Sequence, residues 1–278
     1  MEEPRWRHDP SGVPGLHEGL VLGVLSVGQK QSLHQDGYVF LPGVVPREFV
    51  DAALRAINAS LGDEGIHPAQ LTTFRAQSYC PELQDAPAIT DLVNTSAVWG
   101  LAESAIGAGR IGPVGRGQIA LRFPGKEAAR VPHPHLDGMY TPTNGVPKGE
   151  IRNFTALIGV VLSEISHADM GNLIVWPGSH LQYEQYFRDR GPQALLEGVP
   201  NVLLAEPRQL TGQPGDVILC HYQLGHGIAS NSSPHIRYAV YFRLKHVDHE
   251  SLHWECMTDI WREWEGMREM VDLGVSSS

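Results

Sequence analysis

His133-Pro134-His135-Leu136-Asp137 sets an imidazole and a carboxylate two residues apart, so that an extended chain turns both side chains to one face. The pair makes half of a metal site. The other half lies far down the chain at His226, within Gly225-His226-Gly227, followed by Arg237 at the head of the apolar run Arg237-Tyr238-Ala239-Val240-Tyr241-Phe242. Two histidines and a carboxylate cover one face of an octahedral ion and leave the other open. That arrangement suits a non-haem Fe(II) centre, which must bind a co-substrate and dioxygen together. Among 14 histidines a single His-x-Asp arises easily by chance. Its weight comes from the distant histidine, the arginine beyond it and the strands around them.

Outward from this stretch the chain reads as short strands. Gln118-Ile119-Ala120-Leu121-Arg122-Phe123 precedes it, with Gln118, Ala120 and Arg122 on one face. Residues 138–153, rich in Gly, Pro and Thr, follow it as a flap. The nearly continuous apolar run 154–162 then has the pattern of a strand covered on both faces. Further strands are expected at 38–45, 171–176, 202–205, 215–221 and 238–244. Short strands separated by turn residues predict a mainly β protein with flanking helices. Its core, from about 111 to 246, is expected to be a double-stranded β-helix of the jelly-roll or cupin kind.

Helices are expected at 21–35, from Pro46 with Phe49, Ala52, Leu54, Ile57 and Leu61 at helical spacing, and at 87–93, 97–106 and 180–199. The polar segment 62–85 is long for a loop and reads as a border of the pocket. Residues 250–271 carry Trp254, Met257, Trp261, Trp264 and Met267 near helical spacing, a stripe able to pack on the barrel or on the second subunit of a homodimer. Residues 1–18 read as a loosely held arm and 19–278 as one domain.

Composition narrows the function. With 21 Lys and Arg against 31 Asp and Glu, the net charge is −10, which argues against nucleic acid or an anionic membrane surface as the main partner while leaving room for a locally basic pocket. Three widely spaced cysteines, Cys80, Cys220 and Cys256, fit a reducing compartment, with the cytoplasm the default. The N-terminal residues show no apolar signal core, and no stretch approaches the roughly 20 apolar residues of a membrane span, so a soluble protein is expected. A chain of this length buries enough surface to fold without a metal, so any metal serves chemistry.

Three stretches carry a family resemblance: Asp36-Gly37-Tyr38-Val39-Phe40-Leu41-Pro42-Gly43, Gly171-Asn172-Leu173-Ile174-Val175-Trp176-Pro177-Gly178-Ser179-His180, and Gly215-Asp216-Val217 leading to His226 and Arg237. Over most of residues 30–246 the chain resembles the phytanoyl-CoA dioxygenase-like family of Fe(II)/2-oxoglutarate-dependent oxygenases. The resemblance implies that His135, Asp137 and His226 hold Fe(II), that Arg237 grips the distal carboxylate of 2-oxoglutarate through parallel guanidinium donors, and that dioxygen is the second co-substrate. It further suggests Gln118, Arg122, Thr155 and Tyr140 as co-substrate contacts, each also readable as a polar group facing the lumen or solvent. His133 reads as a neighbour of the ligands or a substrate-facing group, His180 as a helix-start or rim residue, and Trp176 as core. Related halogenases lack the carboxylate, so Asp137 favours hydroxylation of a small-molecule substrate. Two alternatives remain open: a cupin-like isomerase or hydrolase using another metal, which would not need Arg237, and a catalytically silent binding protein on the same fold.

Overall fold

The computed structural model describes residues 23–125 and 132–275, so the expected arm at 1–18 lies outside the described residues. The chain opens with α1 (Val27–Asp36), β1 (Tyr38–Leu41) and α2 (Arg47–Asp63). Helix α1 starts later than the apolar pattern suggested. Ser26 and Gln29 form a reciprocal cap, the Ser26 hydroxyl accepting from the Gln29 amide and the Gln29 side chain from the Ser26 amide, which fixes the first turn there. The polar segment that followed is not one loop. It contains α3 (Leu71–Ala76) flanked by short 3-10 turns, and α4 (Pro87–Asn94) and α5 (Val98–Ile106) come after it.

Strands β2 (Gln118–Arg122), β3 (Ala156–Val161) and β4 (Leu173–Val175) lead to α6 (Ser179–Arg190), then β5 (Arg208–Gln209), β6 (Val217–His221), β7 (His226–Ile228) and β8 (Arg237–Leu244), with α7 (His249–Leu252) and α8 (Arg268–Val275) at the end. They build two antiparallel sheets, one of five strands in the order β1-β6-β3-β8-β2 and one of three in the order β5-β4-β7. The expected strand at 202–205 is irregular chain, and the segment pairs only at Arg208–Gln209.

Side-chain alternation decides what each face of the large sheet covers. Ile158 and Val160 of β3, Val217 and Leu219 of β6, and Val240 and Phe242 of β8 join the helices in one core. Leu157 and Val161, Ile218 and Cys220 point the other way and meet Leu173 and Val175 of the small sheet. The result is a two-sheet jelly roll with a helical layer on the outer face of the large sheet, as the strand pattern implied. Every residue of β3 is buried, which is why its sequence shows no polar alternation.

Two of the resemblance stretches meet on the outside of this sandwich. Gly37 ends α1 with φ +79°, and a β-carbon there would lie 2.6 Å from His180 Nδ1. His180 is therefore wholly buried rather than on the rim; its Nε2 bonds the His34 carbonyl at 3.0 Å. His221 lies beside it, bonded to the Ile260 carbonyl at 2.9 Å and stacked on Trp264. Burial and the neighbouring imidazole push His180 down to about 3, and burial, partly opposed by the Ile260 carbonyl and Glu263, pushes His221 down to about 4. An unfolded chain takes up these protons near 6.5, so stability is complete above that value and falls as the pH drops towards 4. We expect each imidazole to cost about 2 kcal/mol at pH 5 relative to pH 7. Urea midpoints at the two values check this; equal midpoints would contradict it, and replacing both histidines with glutamine should flatten the difference.

The last segment is not the single helix its aromatic spacing suggested. Short turns at Glu255–Met257 and Glu265–Met267 interrupt it, and Met257, Ile260, Trp264, Met267 and Met270 are buried within this chain. Its apolar residues are spent on the chain's own core, which removes the reason for expecting a partner subunit on that stripe. A buried carboxylate ties it down: Glu263 accepts from the Thr155 hydroxyl at 2.6 Å and pairs with His249 at 2.9 Å.

Candidate functional site

His226 opens β7, and its backbone exchanges two hydrogen bonds with His135, N to O at 2.9 and 3.2 Å. This lone antiparallel bridge, rather than the strand expected around 133–137, brings the two imidazoles to 4.4 Å between ring centroids. Asp137 follows in a turn, its own carbonyl held by the Tyr222 hydroxyl at 3.1 Å. Its Oδ1 lies 3.7 Å from His135 Nε2 and 3.6 Å from His226 Nε2, and the three ligand atoms all fall within 4.8 Å of one another.

Two of the three ligands are held from outside. His226 Nδ1 lies 2.9 Å from the Leu224 carbonyl, which assigns a proton to Nδ1 and sets Nε2 towards Asp137. Asp137 Oδ2 receives Nε and Nη2 of Arg243 at 3.1 and 2.6 Å. Burial would raise the Asp137 carboxyl, but Arg243 and the two imidazoles outweigh it and hold the group far below the usual carboxylate range. Desolvation by the cavity wall and its imidazole neighbour push His135, still half-exposed, down to about 4, against the pull of Asp137. Burial lowers His226 as well, but its contact with Asp137 wins and leaves it raised. Two imidazole nitrogens and one carboxylate oxygen, ionised and converging on one point, match the donor set of a non-haem Fe(II) ion.

These ligands line one cavity of about 400 Å³ together with Arg237, Gln118, Arg122 and Tyr140. Arg237 is buried in the wall, with Nε on the Gly171 carbonyl at 2.7 Å and Nη1 on the Ala120 carbonyl at 2.9 Å. Burial lowers it, and no carboxylate among the described residues pairs with it. Gly171 takes φ +76°, and a β-carbon there would press on Arg122 at 2.8 Å and Arg237 at 3.3 Å, so only glycine lets the two guanidinium stems pass. Arg122 stands directly across the β2–β8 ladder from Arg237. Arg75 joins them in the lining, making the cavity locally basic in an acidic protein.

Thr155 is not part of this group. Its hydroxyl is committed to Glu263 and to the His246 amide: the period of two that puts Leu157 in the lining stops short of it, because Thr155 sits at a bend just before β3. His133 is exposed and outside the lining, since the chain around it is not a strand. Gln118 accepts from Arg243 Nη2 at 2.9 Å, and Tyr140 sits half-exposed on the flap. Residues 71–79 do border the cavity, through Arg75, Ala76 and Tyr79. Arg243 and Tyr241 are additions. Both follow from Arg237 by the two-residue period of β8, which was legible but not drawn from the sequence.

Comparison with known proteins agrees with this geometry. The family model of phytanoyl-CoA dioxygenase matches residues 33–239. Among solved structures, EctD from S. alaskensis with 2-oxoglutarate and 5-hydroxyectoine has a TM-score of 0.56 at 19% identity, covering 88% of this chain and 84% of that one. HygX from Streptomyces hygroscopicus, with nickel and 2-oxoglutarate bound, scores 0.52 at 16% identity over 81% of this chain and 88% of its own. The carbocyclase SnoK from nogalamycin biosynthesis scores 0.50 at 20% identity over 82% and 90%. At these identities the likeness speaks to the fold. No curated protein sequence matches the chain. Among the described residues, no helix is long and apolar enough to cross a membrane. The family match spans most of the sequence and contains the ligands and Arg237: the chain belongs to the phytanoyl-CoA dioxygenase family of Fe(II)/2-oxoglutarate-dependent oxygenases.

Proposed function

We propose that the protein hydroxylates a small organic molecule, with 2-oxoglutarate converted to succinate and carbon dioxide. One observation carries this reading: the His135, Asp137 and His226 donors share a cavity with a buried guanidinium that no carboxylate among the described residues pairs with. Fe(II) bound by the three donors supplies dioxygen activation coupled to oxidation of the 2-oxo acid. The chain supplies the rest. Two backbone carbonyls fix the plane of Arg237, leaving Nη2 for the distal carboxylate of the co-substrate, and Arg122 stands beside it across the ladder. Gln118 and Tyr140 line the same space, while Leu157, Leu173 and Ile228 give it an apolar wall that keeps water from the reacting atoms. Flap residues from Gly138 to Thr141, with Tyr79 across from them in the lining, are the parts placed to close over a substrate.

A cavity of about 400 Å³ is in the range of small-molecule sites, and it supports a compact metabolite over a CoA-sized ligand. The free cysteines, two of them buried, support a cytoplasmic setting, and we take the chain beyond its first residues to act as one unit. Purified protein loaded with Fe(II) without oxygen, then given 2-oxoglutarate and air, should release succinate even without substrate, at a slow uncoupled rate. Protein that holds Fe(II) and 2-oxoglutarate yet forms no succinate, alone or with a panel of small organic acids and amines, would sink the reading.

A further inference from the structure

The ligand carboxylate has two oxygens, and the structure treats them differently. Asp137 Oδ1 faces the two imidazoles at 3.6 and 3.7 Å, whereas Oδ2 is taken by Arg243 at 2.6 and 3.1 Å. Arg243 is itself held. Its Nη2 also donates to Gln118 Oε1 at 2.9 Å, and its guanidinium lies 5.7 Å from the centre of the Phe154 ring. The side chain thus spans β8 and β2 and has one orientation towards the aspartate.

We propose that Arg243 is a positioning residue for the metal centre: by occupying Oδ2 it presents Oδ1 alone to the ion and keeps the carboxylate from swinging to bind through both oxygens. This rests on the Fe(II) site proposed above. A second carboxylate oxygen on the metal would consume a coordination position that the co-substrate and dioxygen require. Charge alone predicts the opposite of a favourable role, because a guanidinium so close to a dication repels it. Orientation and repulsion therefore give opposite signs, and a binding measurement separates them.

Co(II) serves as a visible probe in place of Fe(II). Wild type, Arg243→Met and Arg243→Lys are titrated with Co(II) without 2-oxoglutarate, following the absorption of the bound ion, with thermal melting alongside. We expect Arg243→Met to bind Co(II) about 10–100-fold more weakly, the scale of losing a partner behind a metal ligand, and to shift the band pattern as both oxygens become available. Arg243→Lys should recover part of the affinity, since an ammonium keeps the charge but not the two-donor grip. Equal or tighter binding by Arg243→Met with the wild-type spectrum overturns the proposal. Should that variant melt well below wild type, Gln118→Leu replaces it, freeing Arg243 without touching Asp137; a smaller loss in the same direction is expected, and unchanged affinity overturns the proposal. Wild type that takes up no Co(II) defeats the metal-site reading and this one with it, whereas wild-type binding with indifferent variants defeats this one alone.

Discussion

Asp137→Ala and His226→Ala should each lose Fe(II) and, with it, all turnover of 2-oxoglutarate. The loss in metal affinity should exceed the roughly 10–100-fold that removal of an outer partner costs, because a donor itself is gone. The two variants fail for different reasons. His226→Ala removes a nitrogen whose orientation is set by the Leu224 carbonyl, but it leaves the backbone bridge to His135, which uses only main-chain atoms. Its melting temperature should stay near wild type. Asp137→Ala removes the single anionic donor and also strands Arg243, whose two contacts to Oδ2 vanish, so a cation stands unopposed beside the ion. It should therefore be the poorer binder. Anaerobic titration with Fe(II), read with metal content and melting curves, tests both. Either variant binding metal as wild type does would remove that residue from the ligand set.

Much of this site was legible before the fold was known, because its chemistry leaves unusual residues in apolar surroundings. Arg237 heads an apolar strand and is itself buried, and an arginine is rarely placed there without an anion to meet. His135 and Asp137 were found by their spacing, although the extended strand assumed for them is a single bridge followed by a turn. Tertiary pairing with His226 did what local strand structure was expected to do. Thr155 was misplaced for a related reason: the period of two that it shares with Leu157 of the lining holds only inside a strand, and β3 begins one residue later. Its partner Glu263 lies 108 residues away, beyond any local pattern. The terminal aromatic stripe misled in the same manner, since Trp254 to Met267 has helical spacing in a segment held by short turns and by Glu263 with His249. Arg243 was the recoverable omission. Once Arg237 is placed in the lumen, residues 239, 241 and 243 of β8 must follow it, and a second arginine on that face demands a partner.

Arg237→Ala should bind Fe(II) normally and lose 2-oxoglutarate. Its guanidinium is held by the Gly171 and Ala120 carbonyls, not by a metal ligand among the described residues, and the residue lines the cavity. Removing one partner of a buried, hydrogen-bonded ion pair costs about 2–5 kcal/mol, so affinity for the diacid should fall roughly 30-fold at the least. Arg237→Lys should lie between, because a lysine restores charge but cannot satisfy two carbonyls and a carboxylate from one planar group. The alanine variant also relieves the cost of a buried cation in the free protein, so its melting temperature should hold or rise while its co-substrate affinity collapses. That opposition distinguishes a binding role from a structural one. A metalloenzyme on the same fold that uses no 2-oxo acid would lose stability and little else on this substitution. Measured by the absorption that a bound 2-oxo acid gives with Fe(II), full retention of 2-oxoglutarate binding in Arg237→Ala would move the diacid's anchor elsewhere, with Arg122, directly across the ladder, the next residue to substitute.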